Sequence, residues 1–164
     1  MADRRLVLVR HAEAANAPLD RDRPLSPRGE QQADAVGSWL ARAGHVPDVV
    51  LISPARRTQQ TWERIRAALE AAPEPDLDER LYENVLDVVL EAVRETADDV
   101  RTLVLVGHNP SVLDLVLALD DSAAAREKLG SGFSPASVAV FDVPGPFAEL
   151  HEGGATLVEV VRGR

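Results

Sequence analysis

Cysteine is absent from the 164 residues. A disulfide framework, a thiolate nucleophile and a cysteine-ligated metal are therefore excluded. Surplus positive charge is missing too. The formal net charge is -9, whereas a nucleic-acid binder needs clustered Lys and Arg to meet phosphates, so no nucleic-acid partner is expected. Any anion site must be local, and nearly all of the excess acid lies in residues 83–164. Long hydrophobic runs are also lacking at the start of the chain. After the charged segment Met1, Ala2, Asp3, Arg4 and Arg5, the apolar run covers only Leu6 to Val9. That is too short for a signal-peptide core or a membrane span, so a cytoplasmic protein without membrane contact is expected. No H-E-x-x-H spacing occurs, which removes the helical ligand pair of a metal hydrolase.

What is present suits one compact domain over residues 1–164, with 45% hydrophobic positions to fill its core. Leu6 to Val9, Val49 to Ile52 and Leu103 to Val106 are short aliphatic runs without polar alternation. Such runs predict strands buried on both faces, as in a parallel sheet covered by helices. Between them, Gln31 to Ala43, Thr58 to Ala71 and Val85 to Thr96 carry apolar residues at helical spacing. Ala72 to Asp78 reads as a loop, and Asp120 to Ser134 as a short helix followed by a flexible crossing. Near the C-terminus, Ser137 to Val143 and Ala155 to Val161 alternate and predict an antiparallel pair at the sheet edge. The expected fold class is an α/β three-layer sandwich with a mostly parallel central sheet.

Ser26-Pro27, Ser53-Pro54 and Asn109-Pro110 each resemble an N-cap followed by proline in the first helical turn. The second and third follow a predicted buried strand directly, and the carboxyl ends of such strands are where ligands bind in open α/β sheets. Each predicted buried strand is in fact followed by a polar signature: VRHAEA, ISPARRTQQT and VGHNP. If the strands are parallel neighbours, these signatures gather at one edge. Arg10, His11, His108 and one arginine of the pair Arg56 and Arg57 then surround one small volume. Two arginines and two histidines suit a doubly charged oxyanion such as a phosphoryl group.

With LVLVRHAEA, RPLSPRGEQQA, PDVVLISPARRTQQT, RLYEN and LVLVGHNPSV in that order, the chain resembles the histidine phosphatase superfamily, whose fold is that of the phosphoglycerate mutases. Its compact length resembles the small branch typified by bacterial phosphohistidine phosphatases. The resemblance implies that His11 is the nucleophile, Arg10 a phosphoryl clamp and His108 the second histidine at the phosphate. The family pattern S-P-x-x-R-x-x-Q-T falls on Ser53, Pro54, Arg57, Gln60 and Thr61, which selects Arg57 over Arg56. The L-x-E segment Leu81-Tyr82-Glu83 nominates Glu83 as proton donor, with Glu13 as its rival. Ala12 stands where the family usually has Gly, and Asn16, read as a phosphate contact, stands one position early.

Physical chemistry supports these roles. Histidine attacks through a neutral nitrogen, and neighbouring guanidinium groups disfavour imidazolium. A hydrogen bond from the other ring nitrogen to a backbone carbonyl would set the tautomer. Two arginines supply the charge that phosphoryl transfer needs, so neither a metal nor a cofactor is expected. The expected activity is a phosphatase working through a phosphohistidine intermediate. Its partner is a protein bearing phosphohistidine or, alternatively, a small phosphate ester; a mutase or a non-catalytic phosphate-binding module is less favoured.

Overall fold

The computed structural model describes residues 4–163. The charged start at Met1, Ala2 and Asp3 lies outside the described residues. The three aliphatic runs form β1 (Arg4–Arg10), β2 (Val49–Ile52) and β4 (Thr102–Gly107), with a two-residue β3 (Asp76–Leu77) beside β2. The C-terminal pair is β5 (Val138–Val143) and β6 (Thr156–Val161), and the sheet order is β3-β2-β4-β1-β5-β6. β1 to β4 run parallel; β5 joins β1 antiparallel and β6 joins β5 antiparallel, as the alternating segments predict.

Burial on both faces explains why the strand sequences lack polar alternation. Leu6, Leu8, Leu51, Leu103 and Leu105 pack on one side with residues of α4 (Leu86–Arg94) and α5 (Ser111–Leu119), among them Val89, Val93, Leu115 and Leu119. Val7, Val9, Val50, Ile52, Val104 and Val106 pack on the other with α1 (Pro27–Ala43) and α2 (Arg56–Arg66), through Val36, Leu40, Trp62 and Ile65. Leucines thus cover one face and β-branched residues the other, giving the expected sandwich. Two short helices, α3 (Glu79–Glu83) and α6 (Ala123–Leu129), complete it. Among the described residues, no helix is long and apolar enough to cross a membrane.

The parallel register brings the strand ends level. Arg10 lies opposite Gly107 and Ile52 opposite Val106, so His11, Ser53 and His108 all emerge at one edge.

Several local expectations are corrected. Ser26 does cap α1, accepting from the Gly29 nitrogen, with Pro27 at the first position. Ser53 does not cap α2, which begins at Arg56 after Ala55; its hydroxyl is taken up by the Ala55 nitrogen and by His108. α5 begins at Ser111 after Pro110, and Asn109 turns its side-chain amide to the Phe133 carbonyl instead. α2 ends at Arg66, short of Ala71, because Ala68 and Leu69 donate to carbonyls three residues back and so tighten the last turn. The predicted loop from Ala72 contains β3. The expected flexible crossing over Asp120 to Ser134 is anchored at its end: Phe133 is buried, and its carbonyl accepts from Arg10 Nη1 and the Asn109 side-chain amide. Just beyond it, the buried Ala136 donates its N–H to the carbonyls of Arg10 and His11.

Candidate active site

His11 follows β1 directly, and its backbone nitrogen continues the ladder by donating to Gly107. Its ring is nearly buried, and Nδ1 lies 2.7 Å from the Ala12 carbonyl. A carbonyl only accepts, so Nδ1 carries the proton and Nε2 keeps a free lone pair. Burial lowers the His11 pKa to about 4, the hydrogen bond to Ala12 acts the other way, and Arg57, Arg10 and Arg23 lower it further. The imidazole is therefore neutral at pH 7.

The segment carrying His11 is bound to α2 and α1 by side chains. Ala12 donates its N–H to Thr61 Oγ1 at 3.0 Å, Glu13 donates to Gln32 Oε1 at 2.9 Å, and Leu25 donates to Gln60 Oε1 at 2.8 Å. Gln60 and Thr61, the end of the S-P-x-x-R-x-x-Q-T pattern, thus hold the loops around His11.

Arg10 and Arg57 line the same cleft as His11 and His108, a space of about 360 Å³. Arg10 Nη1 donates to the Phe133 carbonyl at 3.0 Å. Arg57 Nη1 and Nη2 donate to the carbonyl and carboxylate of Asp20 at 2.9 and 3.1 Å. The Nε–H groups of both arginines are buried without an acceptor. The two guanidinium groups bring two fixed positive charges to one cleft, an arrangement that suits an oxyanion. Arg56 is exposed and lines a different hollow.

His108 stands beside His11, ring centroids 5.3 Å apart. Its Nδ1 lies 3.4 Å from Arg57 Nη2 and its Nε2 2.8 Å from Ser53 Oγ. A guanidinium only donates, so Nδ1 is the acceptor and Nε2–H donates to Ser53. Burial, then His11 and Arg57, lower the His108 pKa to about 3.

The other assignments separate. Glu83 is exposed and does not line the cleft, nor does Asn16, also exposed. Glu13 does line it, with Oε1 3.2 Å from Ser26 Oγ and Oε2 3.7 Å from Arg28 Nε. Sequence reasoning missed Ser53, Asp20, Arg23, Asn84 and Asn109. Asn84, in the left-handed conformation that ends α3, donates to the Asn109 carbonyl and accepts from the Ser111 nitrogen. It thereby supplies α5 with the cap its own N-terminus lacks. Arg23 and Asn84 sit inside the quoted motifs RPLSPRGEQQA and RLYEN, a signal that could have found them. Among the described residues, no group of three or more His, Cys, Asp or Glu is placed to hold a metal ion.

Residues 6–102 match the sequence profile of the histidine phosphatase superfamily, branch 1. An uncharacterized protein of Mycobacterium tuberculosis is 35% identical over 156 residues, covering 92% of this chain and 96% of that protein. The proposed phosphohistidine phosphatase SixA of Nakamurella multipartitia superposes with a TM-score of 0.84 at 34% identity, over 98% of this chain and 96% of the other. Its proposed counterpart from Agrobacterium tumefaciens superposes with a TM-score of 0.83 at 27% identity, over 96% and 97% of the two chains. With its RH pair at the end of β1 and GHNP at the end of β4, on the sandwich these relatives share, the chain belongs to branch 1 of the histidine phosphatase superfamily.

Proposed function

We propose that this phosphatase transfers a phosphoryl group to His11 Nε2 and then to water, and that its substrate is a phosphohistidine carried on a protein. Residues 1–164 act as one catalytic domain in this reading, and the cytoplasmic location expected from the sequence belongs to the same proposal. The observation that carries it is the convergence of Arg10, Arg57 and His108 on the cleft into which the neutral His11 is set.

In the first step the Nε2 lone pair forms a bond to phosphorus while the bond to the leaving atom breaks in line with it. Arg10 and Arg57 take the charge on the non-bridging oxygens, and the Ala12 carbonyl holds the Nδ1 proton as the ring becomes positive. In the second step a water oxygen bonds to phosphorus, the P–Nε2 bond breaks, and a water proton leaves for phosphate or solvent. His108 meets the phosphoryl group through Nδ1. The Ser53 hydroxyl both accepts and donates, so it supports either His108 tautomer as Nδ1 turns from acceptor to donor.

The leaving group decides between substrates. Imidazole's conjugate acid has a pKa of about 6.5, whereas an alkoxide is nearly as basic as hydroxide, whose parent water lies at about 15.7. Among the described residues, the one carboxylate lining the cleft, Glu13, is engaged with Ser26. Such a site favours a leaving group that needs little protonation, and two relatives at 34% and 27% identity are proposed phosphohistidine phosphatases. Hydrolysis of a small phosphate ester is the second reading, favoured by the presence at the cleft of a carboxyl group, Glu13, that could protonate an alkoxide.

The test is phosphate release from a phosphohistidine-bearing carrier protein and from p-nitrophenyl phosphate, for the native protein and His11→Ala. Release by the native protein alone, with the carrier the faster substrate, is the expected result. A faster ester reaction selects the second reading. Equal release by His11→Ala would discard the covalent route.

A further inference from the structure

We propose that Asp20 is a positioning residue: it grips one edge of the Arg57 guanidinium so that the other edge is presented to the phosphoryl group. This rests on the reading of Arg57 as a phosphoryl clamp. Asp20 sits on a 3-10 turn (Asp20–Asp22) beyond the loop that follows His11. Its backbone carbonyl accepts from Arg57 Nη1 and its Oδ2 from Arg57 Nη2, at 2.9 and 3.1 Å. These two contacts occupy the end of the guanidinium formed by Nη1 and Nη2. The side formed by Nε and Nη2 remains, with Nε lacking an acceptor and Nη2 reaching His108 Nδ1 at 3.4 Å. A guanidinium carries five N–H donors in a rigid fork, so holding one edge also aims the next.

Asp20 is itself held from two directions. Tyr82 O–H donates to Oδ2 at 2.7 Å, and Arg23 Nη1 donates to Oδ1 at 3.4 Å. Arg21, the next residue, lies 4.4 Å over the Tyr82 ring and donates to Glu79 Oε1 at 2.9 Å. The turn is thereby fastened to α3, and the Tyr82 ring meets the His108 ring edge-on at 5.8 Å. A pair made only for stability is a poor explanation. The Asp20 side chain is 53% exposed, and such pairs contribute little to folding. What the arrangement does achieve is to immobilise a long side chain whose head group is nearly buried.

The experiment compares Asp20→Ala, Asp20→Asn, Tyr82→Phe and the double variant Asp20→Ala/Tyr82→Phe, with Arg57→Ala as reference. The readouts are kcat and KM for phosphate release from the carrier protein, and inhibition by orthovanadate. Asp20→Ala is expected to lower kcat by about 10- to 100-fold with KM changed by less than about 3-fold, as misaiming a clamp does. Asp20→Asn should recover most of that loss, because its amide oxygen still accepts from Arg57 or Tyr82. Tyr82→Phe should lower kcat in the native background and have no effect beside Asp20→Ala. Unchanged kcat in Asp20→Ala, additive losses in the double variant, or tighter vanadate binding by Asp20→Ala would each overturn the proposal, the last by making Asp20 a competitor of the substrate. If Arg57→Ala also releases phosphate normally, the clamp reading itself fails; if Arg57→Ala is inactive and Asp20→Ala is not, only the role of Asp20 fails.

Discussion

Thr61 joins the two halves of the site: its Oγ1 accepts from the Ala12 nitrogen at 3.0 Å and donates to the Arg57 carbonyl at 2.7 Å. One hydroxyl therefore ties the residue after His11 to the helix that carries Arg57. Thr61→Val keeps the shape and removes both bonds, leaving the buried Ala12 N–H unpaired. A loss of about 1–3 kcal/mol of stability is expected by urea denaturation, together with a fall in kcat of about tenfold from misplacement of His11. Native kcat in this variant would show that the loop holds His11 without Thr61.

Ser53 supports His108 in a similar way, 2.8 Å from Nε2. In Ser53→Ala the Nε2–H loses its acceptor in a buried place, and the ring loses the partner that supports both tautomers. Phosphate release should fall by about 10- to 100-fold, and Ser53→Thr should restore part of it. Equal activity of Ser53→Ala and the native protein would remove Ser53 from the site's working parts.

Gly29 lies in the first turn of α1, packed on the segment after His11. A Cβ built there would stand 2.0 Å from the Glu13 carbonyl oxygen, and backbone cannot yield as a flexible side chain does. Gly29→Ala, usually helpful inside a helix, is expected to destabilise by about 1–3 kcal/mol or more and to lower activity by shifting the Glu13 segment. A rise in Tm would contradict this.

The two histidines make stability fall with acid. Both pKa values are depressed in the folded state, His11 to about 4 and His108 to about 3, against an unfolded value of about 6.5. Between those limits the unfolded chain binds protons that the native chain does not, so stability rises with pH through the window and falls as pH drops through it. Urea midpoints should decline from pH 6.5 towards pH 4, and His108→Asn should flatten that slope. The acid limb of kcat/KM due to His11, corrected for substrate ionisation, should lie near pH 4. A limb near 6.5 would mean that His11 is not held neutral by its surroundings.

The sequence alone determined the sandwich and the centre of the site. A strand buried on both faces needs an unbroken apolar run, so Leu6 to Val9, Val49 to Ile52 and Leu103 to Val106 could be read as strands without knowing their neighbours. Once they are parallel, their ends are level, and Arg10, His11, Arg57 and His108 meet because each follows a strand within a few residues. Helix starts were less legible: Ser53 has the chemistry of a cap, and only its packing assigns the hydroxyl to His108. The tertiary structure alone decided which acid lines the cleft and what holds Arg57. Periodicity reports which face of an element is buried; it does not report which polar groups meet when loops close over a sheet. Glu13 rather than Glu83 reaches the cleft, and Tyr82 reaches Asp20 across 62 positions of chain, because those contacts depend on how separate loops come to rest against one another.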